Sequence, residues 1–343
     1  MPTIIDVAKR ANVSISTVSN AFNKPNRVNA KTRERVLNVA AEMGFRPNLY
    51  ARSLRTRNTA LIGIIVSDIQ LPYIATLARG IQNRLNQAEK ISLMANTDGS
   101  QERIRTIISQ LRQQGVNAFI LSPVPFNYDD QTRAFFSRLQ SDGVSLAFIS
   151  NELAESNFDT VLTKAQEGSK AMVRYLVELG HRKIAFVSLP FTRGTTGVKR
   201  WLGYQEGLIE AGLKVRSELV IETKMSFEGG VVALQQLLQL TDPPTAIIAA
   251  SDVIASGIMN HAHQLGIQIP SELSIVGYNN EPLAAHLFPA LTTVGLPIYQ
   301  MGVKAAELLL ERLQDNSLPP RKPLFDYELI VRESAAEPNK NKS

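Results

Sequence analysis

Residues 3–23 read TIIDVAKRANVSISTVSNAFN, and residues 27–43 continue RVNAKTRERVLNVAAEM. Thr3 followed by Asp6 has the form of a hydroxyl helix cap with an acid three positions on, which predicts a short helix from Ile5 to Ala11 with Val7 and Ala8 inward. Asn12-Val13 predicts a tight turn. Ser14 caps a second helix over Ile15–Phe22, with Val18 and Ala21 on its buried side. Asn29 caps a third, Ala30–Met43, whose Val36, Leu37, Ala40 and Met43 share one face. Three short helices with a tight turn between the first two form a helix-turn-helix, a unit that lays its second helix in a DNA major groove. The outer face of that second helix carries Ile15, Ser16, Thr17, Asn20 and Asn23. Hydroxyls and amides reach base edges or phosphates, and an apolar side chain meets a thymine methyl. Such three-helix units also serve as protein-interaction modules.

Charge separates these readings. Residues 1–57 hold eleven Lys and Arg against three acids, net +8, whereas the whole chain of 343 residues is +6, leaving −2 for the remainder. Positive charge confined to one small segment is the footprint of a polyanion partner. Composition excludes other classes. Cysteine is absent, which removes disulfides and thiolate metal sites. Four histidines without ligand spacing predict no metal, and no cofactor is expected. His181, in a Gly-His-Arg turn, reads as structural. No apolar run is long enough to span a membrane, and the N-terminus lacks a secretory pattern, so a cytoplasmic, nucleoid-associated protein is expected.

The stretch 3–23, together with RVNAKTRERVLNVAAEMGFRPNLYARSLRTRNTALIGIIV over 27–66, resembles the signature of the LacI/GalR family of bacterial regulators, without gaps into the first core strand. The resemblance implies that Ile15, Ser16 and Asn20 read bases, and that Thr3, Ser14, Thr17 and Asn23 hold phosphates. It also assigns the segment after Pro47. Residues 48–55, NLYARSLR, are too few for a helix stable alone, and by themselves describe a tether. The resemblance makes them a hinge helix that forms when two subunits pair on an operator. Leu54 is then the minor-groove wedge, Ala51 the small contact between hinges, and Asn48 and Arg55 DNA-contacting neighbours.

From Ala60 short apolar runs alternate with amphipathic stretches: 61–66, 91–95, 118–122, 145–150, 183–188, 219–223, 246–250 and 273–278. This predicts parallel sheets covered by helices, divided into two doubly wound subdomains. Further along, 291–296 reads as a strand, 298–314 as a helix and 325–331 as a last strand. By resemblance the core is like periplasmic sugar-binding proteins. The first subdomain is then 60–157 plus 290–318, and the second 158–289 plus 319–333, with crossings near Pro289 and Pro319. A polar, non-heptad end, 334–343, predicts a disordered tail and a homodimer without a tetramerising helix.

Ligands of open α/β sheets bind beyond the carboxyl ends of the strands. Residues in such positions are Leu71, Pro72, Tyr73, Pro123, Phe126, Asn151, Arg193, Thr196, Arg200, Phe227, Ser251, Asp252 and Asn279. The resemblance puts effector contacts at Leu71, Tyr73, Asn151, Arg200, Ser251 and Asn279; Pro123 and Phe227 complete the expected wall. Asp252 has a plain alternative as a helix cap. Where sugar-responsive relatives carry Gly-Tyr-Asp, this chain has Gly277-Tyr278-Asn279-Asn280, and Thr163-Lys164 replaces another acid. Loss of acid beside Arg200, Arg193, Lys199 and Lys164 predicts an anionic or phosphorylated effector, bound bidentately by guanidinium. No nucleotide loop G-x-G-x-x-G or G-x-x-x-x-G-K-[ST], and no G-x-S-x-G elbow, supports an enzyme. The expected function is therefore a repressor of transcription, binding double-stranded operator DNA under control of a sugar, sugar phosphate or similar metabolite. The alternative is a plain solute-binding protein.

Overall fold

The computed structural model describes residues 2–23, 25–45, 61–122, 128–150, 158–190 and 195–339. The chain divides into two units, Met1–Ala60 and Leu61–Ser343. In the first, helices α1 (Ile4–Arg10), α2 (Ile15–Asn23) and α3 (Ala30–Glu42) follow one another. Their starts are fixed locally. The Thr3 hydroxyl receives the Asp6 amide at 3.3 Å while the Asp6 carboxylate receives the Thr3 amide at 2.8 Å, a reciprocal cap. Ser14 Oγ caps the Thr17 amide at 3.1 Å, and Asn29 caps Lys31 at 3.0 Å. Asn12 sits at φ 48°, the left-handed turn between α1 and α2. Val7, Ala8, Ala11, Val18, Ala21, Val36 and Ala40 close the small core.

The second unit holds two six-stranded sheets. The first takes β1 (Leu61–Val66), β2 (Ile91–Asn96), β3 (Ala118–Leu121), β4 (Ser145–Ile149) and β5 (Asp159–Thr163). The second takes β6 (Ile184–Ser188), β7 (Val220–Glu222), β8 (Ala246–Ala249), β9 (Ser274–Asn279) and β10 (Thr292–Gly295). The last two strands are β11 (Leu324–Phe325), beside β5, and β12 (Glu328–Ile330), antiparallel to β10. The other pairings are parallel. One face of the first sheet is covered by α4 (Pro72–Gln87) and, from far along the chain, α11 (Ile298–Gln314). These two helices meet where Gly80 lies on the Tyr299 carbonyl and Gly302 on the Leu77 carbonyl; a Cβ at either would collide with backbone. Helices α5 (Gln101–Gln113) and α6 (Asp130–Ser141) cover the other face. In the second sheet, α7 (Ala165–Glu178) and α8 (Thr195–Glu210) lie opposite α9 (Phe227–Leu238) and α10 (Asp252–Gln264).

Three expected boundaries move. β5 pairs with β4, so residues 159–163 belong to the first sheet and the first crossing follows Thr163 rather than Asn157. β10 pairs with β9, so the second crossing falls after Gly295 rather than near Pro289. The expected single strand over 325–331 is two strands in different sheets, and the third crossing lies between Phe325 and Glu328, not at Pro319. The strand that fixes the first of these is polar for a reason: Asp159 is fully buried, receiving Arg312 Nε at 2.7 Å and Arg321 Nε at 3.1 Å.

The tail is also corrected over 334–339. Ser334 is fully buried, its hydroxyl accepting from the Thr292 amide at 2.8 Å. His181 lies beneath the Ala336 carbonyl, with Nε2 at 2.9 Å from it and at 3.0 Å from Ser274 Oγ, and Nδ1 at 2.8 Å from Thr245 Oγ1. Burial lowers the His181 pKa, outweighing the Ala336 carbonyl that favours the charged ring. Because the folded pKa is below the unfolded value, the neutral ring's contribution is complete above pH ~6.5 and falls away on acidification. Denaturant titrations at pH 7.5 and 5.5 are expected to show a larger stability loss for the wild type than for His181→Asn. An equal loss in both proteins would remove His181 from the acid response.

Candidate DNA face and ligand cleft

In the head, the residues expected on the outer face of α2 are open. Ile15 is 48% exposed, Ser16 is exposed, and Thr17 and Asn20 are half-buried. An isoleucine held half in water on a helix whose other face is the core is a site waiting for apolar contact. Thr3, Ser14 and Thr17 already have internal duties: Thr3 caps α1, and Ser14 Oγ lies 2.8 Å from both Ser16 Oγ and Thr17 Oγ1. A phosphate oxygen only accepts, so each hydroxyl would meet it by giving up its single proton, and that of Thr3 is already given to the Asp6 carboxylate at 2.7 Å. The Asn23 side chain lies outside the described residues, as do Asn48, Ala51, Leu54 and Arg55.

In the core, the carboxyl ends of both sheets converge on Arg200. It projects from α8 and is 7% exposed. Its guanidinium lies 3.7 Å from the centroid of the Tyr278 ring, a cation–π contact. One Nη donates to the Ala250 carbonyl at the end of β8, the other to Asn279 Oδ1 at 3.2 Å. Tyr73, at the start of α4, faces the same charge; burial raises its phenol pKa against the opposing pull of Ser150, whose Oγ lies 3.2 Å from its hydroxyl, and of Arg200. Tyr73, Arg200 and Asn279 are thus brought together. Leu71 precedes α4 and packs half-buried on the first sheet's core. Ser251 is spent on the start of α10, its hydroxyl capping the Ile254 amide at 3.3 Å. Phe227 opens α9 at 39% exposure, and no contact among the described residues joins it to Arg200. Pro123, Phe126, Asn151, Arg193 and the Thr196 side chain lie outside the described residues.

The expected loss of acid is overturned by Glu281, which sequence reasoning passed over. Asn279 at φ 106° and Asn280 at φ 54° are successive left-handed residues, a conformation asparagine tolerates better than most. They reverse the chain at the end of β9. Glu281, 3% exposed, is thereby returned to the cluster, where its Oε1 accepts from Asn279 Nδ2 at 3.2 Å. Asn279 can serve both neighbours because an amide donates and accepts; an aspartate there would face Glu281 with like charge. The Asn-Asn-Glu-Pro run after the strand was the available signal. Burial raises the Glu281 pKa, against the opposing pull of Asn279, the Tyr73 amide and Arg200. Asp252 is more than a cap: its carboxylate accepts from the Glu281 amide at 2.7 Å and from Thr293 Oγ1 at 2.6 Å. Burial pushes its pKa up to about 7. Lys164 is no part of a basic cluster here; it pairs with Asp326 at 3.0 Å between the chain crossings. Among the described residues no group of acids and histidines could hold a metal. No helix among them is long and apolar enough to cross a membrane.

Comparison with known proteins gives two family matches: "Bacterial regulatory proteins, lacI family" over residues 3–48 and "Periplasmic binding protein-like domain" over residues 173–335. The HTH-type transcriptional regulator DegA of Bacillus subtilis (strain 168) is 32% identical over 98% of this chain and 99% of its own length. Among solved structures, the lac repressor dimer bound to operator and the anti-inducer ONPF matches with TM-score 0.84 and 25% identity, covering 98% of this chain and 99% of the other. The transcriptional regulator CelR in complex with cellobiose matches with TM-score 0.72 and 27% identity, covering 98% and 100%.

Proposed function

This chain belongs to the LacI family of bacterial regulatory proteins, and from that premise we propose how its residues divide the work. The protein is a sequence-specific DNA-binding regulator of transcription, controlled by a small effector, and not an enzyme. Our reading of the sites is that Ile15, Ser16 and Asn20 address base edges, while Thr3, Ser14, Thr17 and Asn23 address phosphates. Asn48, Ala51, Leu54 and Arg55 form the minor-groove hinge. Leu71, Tyr73, Pro123, Asn151, Arg200, Phe227, Ser251 and Asn279 surround the effector, joined by Glu281. The chain acts as a homodimeric repressor in the cytoplasm, at the nucleoid; a dimer on operator in the lac repressor structure supports the pairing. Cellobiose in the CelR structure supports occupation of the core cleft by a small molecule.

The observation that carries this reading is the outer face of α2, with Ile15 48% exposed between hydroxyl and amide side chains, on a head of net +8. Effector control follows from the cleft being made of both sheets: a ligand that prefers one relation of the subdomains shifts the population of the DNA-competent form. A duplex selected from random DNA should be bound with a steep salt dependence, about 10³–10⁵-fold weaker at 200 than at 50 mM for six to ten phosphate contacts. In the same assay Leu54→Ala should bind more weakly and bend the duplex less, since wedging exchanges a few kcal/mol of unstacking for extra contact. A protein that selects no sequence from the pool overturns the regulator reading. Equal affinity and bend in the variant overturn the wedge.

A further inference from the structure

Helix α2 carries no charged side chain. Ile15–Asn23 is ISTVSNAFN, without lysine or arginine, although residues 1–57 sum to +8. Among the described residues the head's cations stand on other elements: Lys9 and Arg10 on α1, Arg27 on the 3-10 turn Pro25–Arg27, and Lys31, Arg33 and Arg35 on α3. The commonest specific contact to guanine, an arginine or lysine on its O6 and N7 acceptors, therefore has no donor on α2. What α2 offers is neutral. The Asn20 amide is half-buried and meets no hydrogen-bond partner among the described residues, so its donor and its acceptor are both open. Ile15 is 48% exposed. Ser16 Oγ lies 2.8 Å from Ser14 Oγ, and a hydroxyl suits several bases.

We propose that α2 reads adenine and thymine and leaves guanine unread: Asn20 takes an adenine through N6 and N7, and Ile15 takes the methyl group of a thymine about two base-pair steps away. This rests on the reading of α2 as the base reader above, and names the bases it addresses. An amide matches adenine in the major groove, because N7 accepts from Asn20 Nδ2 while the N6 amino group donates to Oδ1. Guanine presents two acceptors there, and the amide oxygen would face one of them. Cytosine offers a donor without the neighbouring acceptor. The thymine methyl is the apolar group of that groove, and Ile15 is the exposed apolar side chain of α2. Five residues at 1.5 Å rise separate Ile15 from Asn20 by about 7.5 Å along the helix, against ~3.4 Å per base pair. Sequence is then read without charge, and the salt-dependent share of affinity comes from cations off α2.

The probe is the duplex that the full-length protein selects from random DNA. Its half-site is expected to hold an A·T pair where Asn20→Ala loses preference, and another where Ile15→Ala does. Replacing that adenine by 7-deazaadenine removes only N7. It should weaken wild-type binding about two- to tenfold, the value of one hydrogen bond, and leave Asn20→Ala unchanged. Replacing the thymine by deoxyuridine removes only the methyl group. It should weaken the wild type about fourfold and leave Ile15→Ala unchanged. A G·C pair at the Asn20 position overturns the proposal. So does a modified base that weakens wild type and variant alike, since another residue then makes the contact. Should a variant fail to fold, the wild type alone still decides: indifference to both modified bases overturns the assignment. A protein that selects a sequence but gives these results remains a regulator and loses only the assigned bases; one that selects no sequence loses both readings.

Discussion

Asp159→Ala should destabilise the core by about 3–5 kcal/mol, the range for removing one partner of a buried ion pair. The carboxylate is fully buried and shared by two arginines: Arg312 Nε at 2.7 Å, and Arg321 through Nε and Nη2, each at 3.1 Å. It also accepts the Arg321 amide at 2.9 Å, which fixes the segment leading into β11 against β5. Burial alone would raise the Asp159 pKa; the hydrogen bonds from Arg312 and Arg321 outweigh it and hold the carboxyl below its usual range. The contribution is therefore present above the ordinary carboxylate pKa and is lost as pH falls through the lowered one. The variant leaves Arg312, itself 8% exposed, with its charge uncompensated. Replacing all three residues by leucine or methionine should recover much of the loss, because well-packed apolar groups often substitute for a buried ion cluster at little cost. Chemical denaturation of the three proteins decides it. A loss under about 1 kcal/mol for Asp159→Ala, the value of a surface pair, would show that the cluster is solvated.

The second large effect is on DNA. Ser16→Ala combined with Asn20→Ala should weaken binding to the selected duplex by on the order of a hundredfold or more, since each base-directed contact carries ~1–3 kcal/mol of discrimination. Both positions lie on the accessible side of α2, and Ser14 still caps the Thr17 amide when Ser16 is shortened. Melting temperature should hold, and so should the slope of affinity against salt, because phosphate contacts are untouched. Quantitative gel shifts across salt concentrations separate the outcomes. Undiminished affinity for the duplex would remove α2 as the base reader, and a reduced slope would reassign these side chains to the backbone.

Legibility in the sequence followed the range of the interactions involved. Thr3, Ser14 and Asn29 announced the starts of all three head helices, because a cap is satisfied within three residues of itself. The apolar strands of both sheets announced themselves similarly. Strand β5 did not, because its buried charge is neutralised by Arg312 and Arg321, more than 150 residues away in sequence. Ser334 read as tail because its partners, Thr292 and Ile275, lie some 42 and 59 residues back, in β10 and β9 of the sheet whose edge β12 forms. In the cleft, Arg200 and Asn279 were found by their places after strands. Glu281 was missed because it enters only through two left-handed residues, a reversal that strand patterning does not register.

The first sheet is completed by residues that the chain reaches last. Its fifth strand ends at Thr163, while α11 and β11, which cover one face and close one edge, end at Gln314 and Phe325. On a ribosome adding ~5–20 residues per second, those pieces emerge on the order of ten seconds or more after the strands that need them. Meanwhile Ile62, Ile64, Ile120 and Ile149 lack Met301, Ala305, Leu308 and Leu309, their eventual neighbours. The nascent half-built subdomain must therefore be sheltered, by the second subdomain's growth or by a chaperone, and a stop codon before α11 would yield an aggregating fragment rather than a smaller folded domain.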